Sequence, residues 1–99
     1  MISSQTIQTS IEELKAITKV DLCVYDLMGS LVASTTEDTE ITPNLVVGFV
    51  NSPADSQVMG LHHLLKIISE GELLYVLMAK GTSDDVYMVG KIASFQIQN

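Results

Sequence analysis

The sequence has a single cysteine, Cys23, no tryptophan, and only two prolines in 99 residues. A lone thiol excludes an internal disulfide and fits a reducing compartment, so a cytoplasmic protein is expected. Basic residues are few: five, against twelve acidic ones, for a net charge of −7. They stand apart at positions 15, 19, 66, 80 and 91. Contact with nucleic acid requires clustered Lys and Arg to displace phosphate counterions, so no direct nucleic-acid contact is expected of this chain.

Long apolar runs are missing too. Leu45–Val50 and Leu73–Ala79 are the longest, far short of the roughly 20 residues that span a bilayer, so no membrane partner is expected. The opening Met1-Ile2-Ser3-Ser4-Gln5-Thr6 has neither the basic nor the apolar stretch of a secretion signal. The six glycines are scattered and form neither GxGxxG nor GxxxxGK[ST], so no phosphate cradle is expected. GxSxG and HExxH are also absent. These absences predict a chain that is not an enzyme and carries no cofactor.

What is present is an apolar single domain. Hydrophobic residues make up 46% and the mean hydropathy is +0.32. That is more than one modest core needs, and part of the surface is expected to serve a partner.

Ile7, Ile11, Leu14 and Ile17 recur at helical spacing over Thr6–Lys19, with Ser3, Ser4 or Thr6 able to cap the start. Val20–Asp26 reads as a strand, Leu27-Met28-Gly29-Ser30 as a turn, and Leu31–Thr35 as the returning strand of a hairpin. Thr36–Glu40 is an acidic loop. Thr42-Pro43 starts a second helix carrying Leu45, Val46, Phe49 and Val50, which Ser52-Pro53 should end.

Strands follow over Ser56–Met59, His62–Ile68 and, after the turn Ser69–Glu72, Leu73–Lys80. The last of these is apolar on both faces and is placed centrally. Gly81–Asp85 opens the final helix, with Ser83 as cap and Asp84 and Asp85 in its first turn. Val86, Val89, Ile92 and Phe95 form its stripe; Tyr87, Met88 and Ile97 make it apolar nearly all round, which predicts a buried helix.

The fold class is therefore α+β: α-β-β-α-β-β-β-α, one five-stranded antiparallel sheet with helices on both faces. The first and last helices should cover one side and the middle helix the other.

His62 and His63 invite a metal reading, but neighbours on a strand point to opposite faces, so no shared metal is expected. Cys23 lies in an apolar strand and reads as core. Asp84 and Asp85 are explained by the helix start. The better lead is a set of polar groups on apolar strands. Lys66 could pair with a small anionic metabolite, while Ser56, Gln57 and Tyr75 hydrogen-bond it and His63 joins the pocket. The plainer alternative has Lys66 snorkelling from an edge and Tyr75 in the core.

The hairpin Val20-Asp21-Leu22-Cys23-Val24-Tyr25-Asp26 with Leu31-Val32-Ala33-Ser34-Thr35, then Ser52–Gln57, Gly71–Gly81 and Asp85–Ala93, resembles a known family. It is similar to the N-terminal sensory region of clostridial-type sugar-diacid and purine-catabolism transcription regulators. The topology resembles PAS, GAF, profilin and roadblock domains, which implies the strand order 2-1-5-4-3. The resemblance covers nearly the whole chain and implies a ligand-sensing, dimer-forming domain. The helix-turn-helix that binds DNA would then lie outside these residues. The ending Phe95-Gln96-Ile97-Gln98-Asn99, with no glycine cap, is what a piece of a longer protein would show. A homodimer through the first and last helices is expected. The alternative is a roadblock-like module that pairs with itself or with a small GTPase.

Overall fold

Helix α1 spans Ser4–Thr18. Ser3 caps it, its hydroxyl accepting the Thr6 amide at 3.2 Å, and Lys19 ends it in the left-handed region at φ 65°. The computed structural model describes residues 3–37 and 40–98. Asp38 and Thr39 of the acidic loop lie outside the described residues, as do Met1, Ile2 and Asn99.

The remaining elements are β1 (Asp21–Tyr25), β2 (Leu31–Ser34), α2 (Pro43–Val50), β3 (Ser56–Met59), β4 (His62–Ser69), β5 (Glu72–Lys80) and α3 (Val86–Gln98). All five strands form one sheet in the order β2-β1-β5-β4-β3, with every pairing antiparallel. This is the α+β topology expected. The most apolar strand, β5, is central and pairs with both β1 and β4.

Alternation along the strands divides the core in two. Leu22, Val24, Leu65, Ile67, Leu77 and Ala79 pack with α1 and α3 on one face. On the other, Cys23, Tyr25, Leu64, Val76 and Met78 meet Val46 and Phe49 of α2. Helix α2 starts as its sequence dictates. Thr42 caps it and Pro43, whose missing N–H costs nothing there, follows.

Both helices of the first layer depart from the expected phase. The buried residues of α1 are Ile7, Ile11 and Leu14, whereas Ile17 is 79% exposed. In α3 the buried set is Val86, Val89, Gly90, Ala93, Ser94 and Ile97; Ile92 is 43% and Phe95 63% exposed. Repeated three-residue steps explain the difference. Each falls about 60° short of a full turn, so a run of threes rotates off any fixed face. Steps of three and four hold the face, and 86, 90, 93 and 97 follow them. Gly90 admits this packing. A Cβ there would lie 2.9 Å from Leu65 Cδ1 and 3.4 Å from Ala79 Cβ. Helix α3 is thus amphipathic, not buried all round.

The start of α3 also differs. The Ser83 hydroxyl accepts the Asp85 amide at 3.2 Å and the Asp85 carbonyl accepts the Val89 amide at 2.9 Å. Ser83 therefore shapes the preceding turn, and neither aspartate lies in the first helical turn.

Glu70 and Gly71 join β4 to β5 with φ of 54° and 78°, the two positive values of a type I′ hairpin turn. Glutamate is unfavourable there and asparagine is not. Glu70→Asn is expected to raise stability by about 0.5–1 kcal/mol in urea denaturation.

Candidate functional site

The five polar residues singled out from the sequence do not share one concavity. In β4, His63, Leu65 and Ile67 face the α1–α3 layer, while His62, Leu64 and Lys66 face α2. Ser56 pairs with Leu65 and Gln57 with Leu64, and Tyr75 pairs with Ile67. Paired residues share a face. Ser56, His63 and Tyr75 therefore lie on the α1–α3 side, and Gln57 and Lys66 on the α2 side.

Lys66 has a structural duty. Its ammonium donates to the Ser52 carbonyl at 2.6 Å and lies 5.1 Å from the centroid of the Phe49 ring. Ser52 lies just past the C-terminal end of α2, where the helix dipole favours a cation. Its backbone amide donates to the Asp55 carbonyl at 3.0 Å, fixing the approach to β3. Lys66→Ala is expected to cost about 1–2 kcal/mol in chemical denaturation, from the hydrogen bond and the ring contact together.

Tyr75 packs half-buried against the α1–α3 core, and Gln57 is exposed on the edge strand. The two histidines diverge as alternation requires. His62 is buried, with Nε2 3.7 Å from Glu40 Oε1. His63 sits 6.5 Å from Tyr87, centroid to centroid, and its buried Nδ1 has no hydrogen-bond partner among the described residues. No group of three or more metal-ligating side chains occurs among the described residues. Glu40 also accepts from Lys80 at 3.2 Å, so this end of the acidic loop is tied to the sheet.

A hollow of about 190 Å³ lies between the open end of β4 and α3, lined by Asp55, Ser56, Lys66, Tyr87 and Lys91 among others. Two of the five expected residues, Ser56 and Lys66, line it, but the Lys66 ammonium is turned to the Ser52 carbonyl on the α2 side. Tyr87 and Lys91 join them from α3. Their part follows from the phase of α3, which the three-residue spacing had obscured. The hollow is smaller than the roughly 300 Å³ at which pockets for drug-sized molecules begin, so it has room only for a small group.

Cys23 is 1% exposed, with Sγ 3.2 Å from Ser34 Oγ. Its alkylation by a thiol reagent is expected to proceed only as fast as the domain opens, and to accelerate across the urea transition.

The outer surface of the α1–α3 layer is the more distinctive feature. Ile17 on α1 and Met88, Ile92 and Phe95 on α3 are all large, apolar and exposed. The two helices lie side by side, with the Ser10 hydroxyl donating to Gln96 Oε1 at 2.8 Å. Among the described residues no helix is long and apolar enough to cross a membrane. Compared with known proteins, the chain matches no family model and no curated protein.

Proposed function

We propose that this chain is a non-enzymatic pairing and signal-coupling domain of a bacterial transcription regulator, with DNA binding left to residues outside it. The apolar outer face of the α1–α3 layer carries the reading. A run of exposed Ile17, Met88, Ile92 and Phe95 exceeds the scattered apolar exposure of an ordinary monomer surface and marks an interaction site. Homodimerisation through the first and last helices would cover it. The resemblance to sensory regions of sugar-diacid and purine-catabolism regulators supports the same assignment. A small anionic effector would have Ser56 and Tyr87 as hydrogen-bond donors at the hollow beside α3, next to the helix that would carry the signal onward.

Light scattering on the chain at increasing concentration tests the pairing. A dimer is expected, and a strict monomer at high concentration overturns the reading. A thermal-shift screen of small carboxylate and phosphate anions tests the sensing part, with Tyr87→Phe expected to weaken any shift.

One observation favours a second reading. Strand β3 is a free sheet edge whose Val58 is 60% exposed, and an unpaired edge can add a strand from another chain. A roadblock-like module pairing with itself or with a small GTPase would use that edge. Val58→Lys would then abolish association, while changes on α3 would not.

A further inference from the structure

The apolar ridge on α3 has flanks of opposite charge. Buried Val86, Gly90, Ala93 and Ile97 fix the inward face, so Met88 and Phe95 point outward and Ile92 leans toward α1. Lys91 stands on the flank away from α1, at the hollow it shares with Asp55 and Ser56, with its ammonium 6.0 Å from the centroid of the Phe95 ring. On the other flank is α1, whose Glu13 follows Ser10 by one helical turn. Ser10 bonds to Gln96, so Glu13 and Ile17 lie along the same side of α1, toward α3. Glu13 is exposed.

Each helix reverses the direction of the strand beside it in sequence, and β1 and β5 are antiparallel; α1 and α3 are therefore antiparallel. Starting from the Ser10–Gln96 contact, Glu13 comes level with Ala93. Lys91 is two residues away, or about 3 Å along the axis.

These positions select an occupant and an orientation. Two copies can stack this face on itself about a twofold axis in two ways. An axis across the helices makes α3 antiparallel to its partner and sets Glu13 over Glu13 and Lys91 over Lys91. An axis along the helix makes the two α3 helices parallel and exchanges the flanks, so that opposite charges meet twice. We infer that a second copy of this chain docks here in the parallel arrangement, with Met88, Ile92 and Phe95 meeting their own counterparts and Glu13 of each copy reaching the partner's Lys91. The inference rests on the pairing function proposed above and adds its geometry.

Two further features fit. Lys91 is the only charged side chain in α3, so copies with a net charge of −7 can meet there without opposing carboxylates on that helix. The exposed parts of Ile17, Met88, Ile92 and Phe95 amount to on the order of 500 Å² per copy, or about 1,000 Å² for the pair, which reaches the lower bound of a specific interface.

Sedimentation equilibrium on the full chain, combined with charge exchange and crosslinking, tests this. Glu13→Lys and Lys91→Glu are both surface changes and should leave the fold intact by circular dichroism. Each alone is expected to weaken the dimer on the order of tenfold, and the double exchange to restore it to within about threefold. Phe95→Cys should form a disulfide-linked homodimer under mild oxidation, with buried Cys23 unable to compete. Failure of the double exchange to restore pairing, or crosslinking of Met88→Cys to Phe95→Cys in preference to self-crosslinking, overturns the parallel geometry while the dimer stands. A monomeric parent chain overturns both.

Discussion

Replacing Gly29 by alanine is expected to destabilise the domain by about 3–4 kcal/mol, among the largest effects of any single methyl group in the chain. Gly29 closes the β1–β2 hairpin at φ +87°, and a Cβ there would lie 2.7 Å from both the Cα and the carbonyl oxygen of Pro43. Those are backbone atoms in the first turn of α2, so neither can turn aside as a side chain would. The loop itself has little room to adapt. The Asp26 carboxylate accepts the amides of Met28 and Ser30 at 2.9 Å each, and the Asp26 carbonyl accepts Gly29 N–H at 3.1 Å. Gly60 is the internal reference. Its φ is +62° with nothing within 4 Å of a Cβ, so Gly60→Ala should cost only the left-handed conformation, about 1 kcal/mol. Urea denaturation of the two variants separates contact from conformation. Equal losses would mean that the hairpin tip and α2 part freely, and that Gly29 does not hold them in register.

That hairpin was legible as a turn from Leu27-Met28-Gly29-Ser30, but its contact with Pro43 was not, because local propensity carries no information about which distant segment a turn will touch. The same limit runs through the molecule. Thr42-Pro43 announced α2, since capping chemistry is local. The apolar character of Leu73–Lys80 announced a central strand, since it must be covered on two sides. The phase of α3 is not legible from spacing alone. Apolar residues outnumber buried positions there, and a three-residue spacing through Val86, Val89, Ile92 and Phe95 looked as periodic as the true face. Gly90 carried the missing signal: a small residue mid-helix marks a close approach to the sheet. For the candidate site, alternation alone already separated Ser56 from Gln57 and His63 from Lys66. Placing Tyr75 required the β4–β5 register, which no single strand reveals.

The phase of α3 leads to the sharpest contrast between neighbouring substitutions. Ile97 is 1% exposed and belongs to the α1–α3 core with Ile7, Ile11 and Ile67, all of them fully buried. Ile97→Ala should therefore incur both the transfer and the cavity cost, about 3–4 kcal/mol. For a domain of this size that lowers Tm by roughly 15–20 °C. Phe95, two residues earlier and larger, is 63% exposed, and Phe95→Ala should cost less than about 1 kcal/mol when measured under conditions where the chain is monomeric. Its effect should appear in association instead, as a dimer that dissociates at higher concentration than the parent. Comparable losses of Tm for the two variants would place Phe95 inside the core and restore the three-residue stripe. The predicted split, in which one residue governs folding and the other pairing, follows only if α3 turns Ile97 to the sheet and Phe95 to a partner.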